Sequence, residues 1–232
     1  MVGAVIVAAG KGLRMQAATP KQYLALAGLP ILCHTLRRFS ACATVDAIAL
    51  VVPESDHDYC RRHILSAAGI DTPIQLVSGG ARRQDSVGNG LAAIGDGHDD
   101  DLVVIHDGVR PLVLPADIDA CVRMAAVTGA CIIGQPVADT LKHVALDFRI
   151  VSTIDRRTVW QAQTPQVFKR GIIAAAHRAA REQGLPVTDD STMVESIGIP
   201  VTIMAAGNAN IKITTPQDLE LASALLAAAP AG

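Results

Sequence analysis

"VIVAAGKGLRMQAATPKQYL", residues 5–24, decides the fold. Its first five residues form an uninterrupted apolar run, as expected of a strand buried on both faces. The run empties into a loop of glycine and alanine that carries Lys11, Arg14 and Lys21. Backbone N–H groups in such a loop can gather around a phosphate. A P-loop would need a serine or threonine directly after its lysine and a different glycine spacing, so the order Gly10, Lys11, Gly12 excludes it. A dinucleotide fingerprint would need a third glycine where Met15 stands, and an unbroken helix where Pro20 and Gly28 fall. What remains is a strand followed by a long loop. There Ala8, Ala9, Gly10 and Gly12 permit close backbone approach, and Arg14 and Lys21 can neutralise charge that grows on a phosphate during transfer. An ordinary strand-to-helix turn with solvated cations is the competing reading.

Working outward, further strands are expected at 47–52, 74–77, 102–106 and 130–137, alternating with amphipathic helical patterns around 31–40, 55–67, 84–94 and 116–128. This alternation predicts an α/β protein with a parallel sheet covered by helices on both faces, and ligands beyond the carboxyl ends of the strands. The rhythm breaks after residue 137. Residues 138–168 are polar and rich in β-branched side chains, with "LDFR" as a turn between two extended segments, and they predict a protruding hairpin arm. Helices are expected again at 170–183 and 189–197, and a strand at 200–205. A last helix is expected to be capped by Thr215 with Pro216 in its first position, before a fraying end in "LLAAAPAG".

The chain has 232 residues, half of them hydrophobic, which suffices for one large α/β domain. A formal net charge of -2, with one tryptophan, two tyrosines and three phenylalanines, leaves neither a basic stripe nor a stacking platform, so no nucleic-acid partner is expected. "GAVIVAAG" is too short to span a membrane and lacks the features of a signal peptide, which predicts a cytoplasmic protein with no membrane partner. Cys33, Cys42, Cys60, Cys121 and Cys131 are scattered through apolar segments without a C-x-x-C pair and read as reduced core thiols.

A second constellation is "VIHDGVRP", 104–111. An aspartate directly after a buried strand sits at the ligand edge of the sheet, where Asp107 could hold Mg²⁺ on a nucleotide's phosphates and Arg110 could fork a second phosphate. Equally, Asp107 could cap the next helix. His106 reads as a packed, hydrogen-bonded residue more readily than as a general base. "DHDYCRRH", 56–63, places His57, Cys60 and His63 at helical spacing, which suits a solvated helix better than a zinc site, and "HDDD", 98–101, reads as a solvated turn.

The motifs "AAGKGLRM", "PKQYL", "GGARRQDSVGNGL", "VIHDGVRP", "VADTLK", "DRRTVWQAQTPQVF", "VTDDSTM" and "NIKITTPQDL" follow one another over nearly the whole chain. Together they resemble the 2-C-methyl-D-erythritol 4-phosphate cytidylyltransferases of non-mevalonate isoprenoid biosynthesis. The resemblance implies that CTP and methylerythritol 4-phosphate are joined with loss of pyrophosphate, with Mg²⁺ as cofactor. It also implies a single Rossmann-like nucleotidyltransferase domain over 1–232, with residues 138–160 as a β-arm that makes a homodimer. On the same resemblance Arg14 and Lys21 stabilise the pentacoordinate α-phosphorus, and Lys212 and Arg156 position the sugar phosphate, Arg156 reaching over from the neighbouring subunit. Asp107 matches the metal-side carboxylate. Arg110, Thr140, Thr164 and Thr188 match the sugar-phosphate pocket, Gly80 and Ser86 the cytosine and ribose contacts, and Ala8, Ala9 and Gly10 the floor under the nucleotide. The pattern departs from some members at Ala209 and at Ala81, where an acid stands near the metal and near the cytosine amino group respectively; base selection would then lean on backbone such as the Gly80 carbonyl. Cytidylyl transfer to ribitol 5-phosphate and a non-catalytic nucleotide-binding regulator are the alternative readings.

Overall fold

In a computed structural model, which describes residues 1–10, 15, 19–95, 97–185 and 187–228, the opening apolar run forms strand β1 (Val2–Val7). Its side chains alternate between two apolar faces, Ala4 and Ile6 entering one core cluster and Val5 the other. Lys11, Gly12 and Arg14 lie outside the described residues. A 3₁₀ turn (Lys21–Tyr23) then leads to a small hairpin, β2 (Ala25–Leu26) and β3 (Leu29–Pro30), which turns at Ala27 and Gly28, both at positive φ. Helix α1 (Ile31–Ser40) buries Leu32, Leu36 and Phe39 at helical spacing, and β4 (Ala47–Val52) follows.

The helix expected around 55–67 is built in pieces. A 3₁₀ turn (Glu54–Asp56), α2 (His57–Tyr59), a π-helical segment (Cys60–Leu65) and α3 (Ser66–Ala68) run to Gly69, whose left-handed φ of 58° ends it. Cys60 points inward against the Tyr23 hydroxyl at 3.4 Å, and His63 packs its ring on Tyr59. Next come β5 (Ile74–Ser78), α4 (Arg83–Ala93), β6 (Leu102–Asp107), α5 (Pro115–Thr128) and β7 (Ala130–Pro136). The "HDDD" segment forms the turn before β6, with Asp100 on Lys169 at 2.7 Å.

The stretch 138–168, expected as one arm, divides in two. Strands β8 (Leu141–Val144) and β9 (Ile150–Ile154) form a two-stranded sheet of their own, exposed along most of its length. The second half instead becomes β10 (Trp160–Lys169), which enters the main sheet antiparallel between β6 and β7. Its polar residues mislead because Gln163, Thr164 and Gln166 are buried with partners rather than solvated. Gln166, for example, accepts the backbone N–H groups of Asp190 and Ser191 and donates to Asp189.

Helices α6 (Arg170–Gln183) and α7 (Asp190–Ser196), strand β11 (Thr202–Ala205) and helix α8 (Pro216–Ala228) complete the order. At the start of α8 the Thr215 hydroxyl accepts the Asp218 N–H, as its sequence predicts; of the stretch expected to fray, 225–228 are helical and 229–232 lie outside the described residues. The seven-stranded sheet runs β11-β7-β10-β6-β1-β4-β5, parallel except at β10. One face packs against α1, the 54–68 helical stretch and α5; the other packs against α4, α6 and α7. All five cysteines are buried free thiols, and burial pushes Cys33 up to about 11 and Cys42 up to about 12. Among the described residues no helix is long and apolar enough to cross a membrane.

Candidate active site

The carboxyl ends of β1, β5 and β6 open onto a cleft of about 570 Å³. Ala8, Ala9 and Gly10 line it where β1 ends, Gly80 and Ser86 where β5 turns into α4, and Lys21, Asp107 and Lys212 close it. The two loops under it pack backbone to backbone, since a Cβ on Gly79 would stand 2.4 Å from the Ala9 Cβ. Gly80 donates its N–H to the Ser86 hydroxyl at 3.0 Å, and that hydroxyl donates to the Arg82 carbonyl at 3.2 Å. Both residues expected at the cytosine and ribose are thus held by one short network.

Asp107 is the last residue of β6 and does not cap a helix. Its carboxylate lies among cations: Lys212 Nζ at 2.7 Å from Oδ2, Arg83 Nε at 3.3 Å from Oδ1, and Arg110 Nε at 3.8 Å from Oδ2. Burial pushes this carboxyl upward, but Arg83 and Lys212 outweigh it and hold the group well below the usual carboxylate range. Among the described residues no three His, Cys, Asp or Glu side chains converge to hold a metal. A single carboxylate fits Mg²⁺ arriving with phosphate oxygens and water as its other ligands, and does not fit a permanently caged ion.

A smaller cleft, about 130 Å³, adjoins the first and is lined by Arg110, Thr164, Thr188 and Gln166, with Arg83, Asp107 and Lys212 again in its wall. Arg110 donates to the Asn210 carbonyl at 2.8 Å, and Asn210 in turn donates to Gln163 and to the Thr164 carbonyl, which ties the segment before Lys212 to β10. His106 lies fully buried beside Phe39. Burial pulls its pKa down to about 3, so the ring is neutral and carries one N–H. The Arg110 carbonyl, 3.3 Å from Nε2, can only accept, which puts the proton on Nε2. Nδ1 then accepts from the Thr164 hydroxyl at 3.1 Å, whose oxygen accepts the Asp107 N–H at 3.1 Å. The ring fixes the end of β6 and is not placed to act as a base.

Of the residues expected at the site, Ala8, Ala9, Gly10, Lys21, Gly80, Ser86, Asp107 and Lys212 line the larger cleft, and Arg110, Thr164 and Thr188 the smaller. Arg14 and Gly12 lie outside the described residues. Thr140 and Arg156 line neither cleft; Arg156 is exposed at the base of the β8–β9 hairpin and donates to the Ala138 carbonyl. The residues missed are Arg83, Asp190 and Asn210. For Arg83 a signal existed: a cation in the first turn of a helix opposes the helix dipole, and so needs an anionic neighbour to justify it.

Behind Arg83, Asp190 is fully buried and His177 of α6 points at it, Nε2 standing 3.9 Å from Asp190 Oδ1, with neither atom hydrogen-bonded among the described residues. Burial, with Arg181 and Arg83 nearby, pulls the His177 pKa from its ordinary 6.5 down to about 4, against the pull of Asp85. The unfolded chain therefore binds a proton near pH 6.5 that the folded chain refuses until about pH 4, so stability present above 6.5 is lost as the pH falls through this window. His177→Gln should gain on the wild type by roughly 3 kcal/mol of unfolding free energy between about pH 7 and about pH 4. Urea denaturation at the two pH values measures this, and a gap independent of pH would refute the assignment.

Residues 2–228 match the family described as IspD, 2-C-methyl-D-erythritol 4-phosphate cytidylyltransferase. Curated relatives bearing that enzyme name include one from Pelotomaculum thermopropionicum, 45% identical over 98% of this chain and 94% of its own length. Another, from Syntrophotalea carbinolica, is 46% identical over 96% of this chain and 94% of its own. The crystal structure of 4-diphosphocytidyl-2C-methyl-D-erythritol synthase from Anaerococcus prevotii matches with a TM-score of 0.86 at 32% identity, covering 97% of this chain and 96% of that one. A mostly parallel sheet with helices on both faces is the Rossmann-like arrangement the sequence predicts. With its family matched from the first strand to the last helix, the chain belongs to the 2-C-methyl-D-erythritol 4-phosphate cytidylyltransferases.

Proposed function

We propose that the protein joins CTP to 2-C-methyl-D-erythritol 4-phosphate, giving 4-diphosphocytidyl-2-C-methyl-D-erythritol and pyrophosphate. The observation that carries this reading is the seam between the clefts. Asp107, Lys212 and Arg83 line both, so a nucleotide in the larger and a sugar phosphate in the smaller would meet at these side chains. An oxygen of the sugar phosphate attacks the α-phosphorus of CTP; as that P–O bond forms, the bond to the bridging β-phosphate oxygen breaks and pyrophosphate leaves with the electron pair. A phosphate monoester is largely ionised at neutral pH, so no base must remove a proton, in keeping with the buried, neutral His106. Catalysis is positioning plus charge stabilisation.

Lys21, with Arg14, would stabilise charge on the α-phosphate, while Lys212, Arg110, Thr164 and Thr188 would seat the sugar phosphate. Ala8, Ala9, Gly10 and Gly12 would lie under the nucleotide, with Gly80 and Ser86 at its base and ribose. Asp107 would hold a divalent cation, which neutralises charge on the phosphates when bound. We read residues 1–232 as one nucleotidyltransferase domain acting in the cytoplasm, with residues 138–160 as the arm of a homodimer. Leu146, Phe148 and Ile150 on that hairpin are solvent-exposed, and an apolar, projecting hairpin of this kind suits a second copy. Arg156 and Thr140 would then complete the neighbouring subunit's site. The decisive assay is pyrophosphate release from CTP with methylerythritol 4-phosphate and ribitol 5-phosphate supplied separately. Release with the first alone is expected; release with ribitol 5-phosphate alone would reassign the substrate, and none with either would overturn the reading.

A further inference from the structure

We propose that Arg83 is a positioning residue for the transfer step: anchored by the buried carboxylate of Asp190, it holds the Asp107 carboxylate against Lys212 at the seam of the two clefts. The inference rests on the cytidylyl-transfer reading and adds to it a pair of residues that the family resemblance did not supply.

Arg83 is the first residue of α4, where the helix dipole opposes a cation, so its placement there needs an anion to offset it. It has two. Its Nη1 donates to Asp190 Oδ2 at 2.8 Å and its Nε donates to Asp107 Oδ1 at 3.3 Å. Asp190 is fully buried at the start of α7, and its other oxygen, Oδ1, has no hydrogen-bond partner among the described residues. A buried carboxylate is costly unless paired, and Arg83 is the cation that hydrogen-bonds this one. With Asp190 fixing one edge of the guanidinium, the other edge stays directed at Asp107. The Asp107 carboxylate is thereby spanned, Arg83 on one oxygen and Lys212 on the other at 2.7 Å. This task needs a planar fork with donors aimed in two directions, which a lysine ammonium on a flexible stem does not provide.

The competing explanation is a purely structural clamp tying α4 and α7 to the end of β6. The two readings separate experimentally. In Arg83→Gln, turnover in the pyrophosphate-release assay should fall about thirtyfold, and in Asp190→Asn about tenfold. The CTP dissociation constant, read by calorimetry, should stay within about threefold of wild type in both. Arg83→Lys should recover no more than about threefold of the loss. Because Asp190 acts through Arg83, the double variant Arg83→Gln/Asp190→Asn should be no slower than Arg83→Gln alone, whereas independent contributions would multiply to about three-hundredfold. A multiplicative double variant, wild-type turnover in a folded Asp190→Asn, or full rescue by lysine would overturn the proposal. So would CTP affinity falling in step with turnover, which would make Arg83 a nucleotide-binding residue. Should either single variant fail to fold, the double variant Arg83→Gln/Asp190→Asn decides, because it removes the buried charge together with its partner; wild-type turnover in it would overturn the proposal. A wild-type protein that binds CTP yet releases no pyrophosphate fails the transfer reading itself, an outcome distinct from an active wild type with indifferent variants.

Discussion

Turnover of a Lys21→Ala variant is expected to fall by about a hundredfold or more, with CTP affinity reduced far less. Lys21 opens the 3₁₀ turn after Pro20, and its Nζ lies 3.5 Å from the Ile213 carbonyl, so its ammonium is held on the side of the cleft where Lys212 also sits. A bound nucleotide is already anionic and would be met there by several cations. What changes during transfer is the charge on the α-phosphate as it becomes pentacoordinate. An ammonium fixed in advance stabilises that growing charge without reorganising, so its loss falls on the rate more than on binding. Saturating kinetics with calorimetric CTP binding would test this. Equal losses in turnover and affinity would make Lys21 a uniform binder, and no loss in either would remove it from the chemistry.

The parts of this fold that were legible in the sequence are those whose signal is local. β1, β4 and β6 are continuous apolar runs because the sheet is covered on both faces, and α8 announces itself through Thr215 and Pro216. β10 was not legible, since its place depends on Ile105 and Val104 some sixty residues earlier, and on the start of α7 to satisfy Gln166. The π-helical segment over Cys60–Leu65 likewise has no mark in a pattern that a regular helix would also satisfy.

The site divides along the same line. Lys21 and Asp107 stand in motifs that suggest a phosphate site by themselves, Lys212 is placed only by the resemblance of the whole set, and the fold brings all three to one cleft. Arg83 and Asp190 are separated by more than a hundred residues, and what makes them a pair is the packing of α7 behind α4. A buried carboxylate cannot be distinguished from a helix-capping one by its neighbours in sequence, and "DD" at 189–190 contains one of each. Asp189 caps α7 by accepting the Thr192 N–H, while Asp190 turns inward to Arg83.

Mixing an Arg156→Ala protein with a Lys21→Ala protein, each nearly inactive alone, is expected to restore activity to about a quarter of the wild-type value when the two exchange subunits freely in equal amounts. Arg156 lines neither cleft of its own chain and sits at the base of the exposed β8–β9 hairpin. If it works in trans, a mixed dimer holds one site with both Lys21 and Arg156 intact and one site with both lost. Half the dimers are mixed and half of their sites recover. A guanidinium in that place would clamp the sugar phosphate, so Arg156→Ala by itself should raise the KM for methylerythritol 4-phosphate more than that for CTP. If Arg156 works in its own chain, every site in a mixed dimer carries one lesion and mixing restores nothing. Exchange must be verified with differently tagged subunits; with exchange shown and activity still absent, the arm does not complete the neighbouring site.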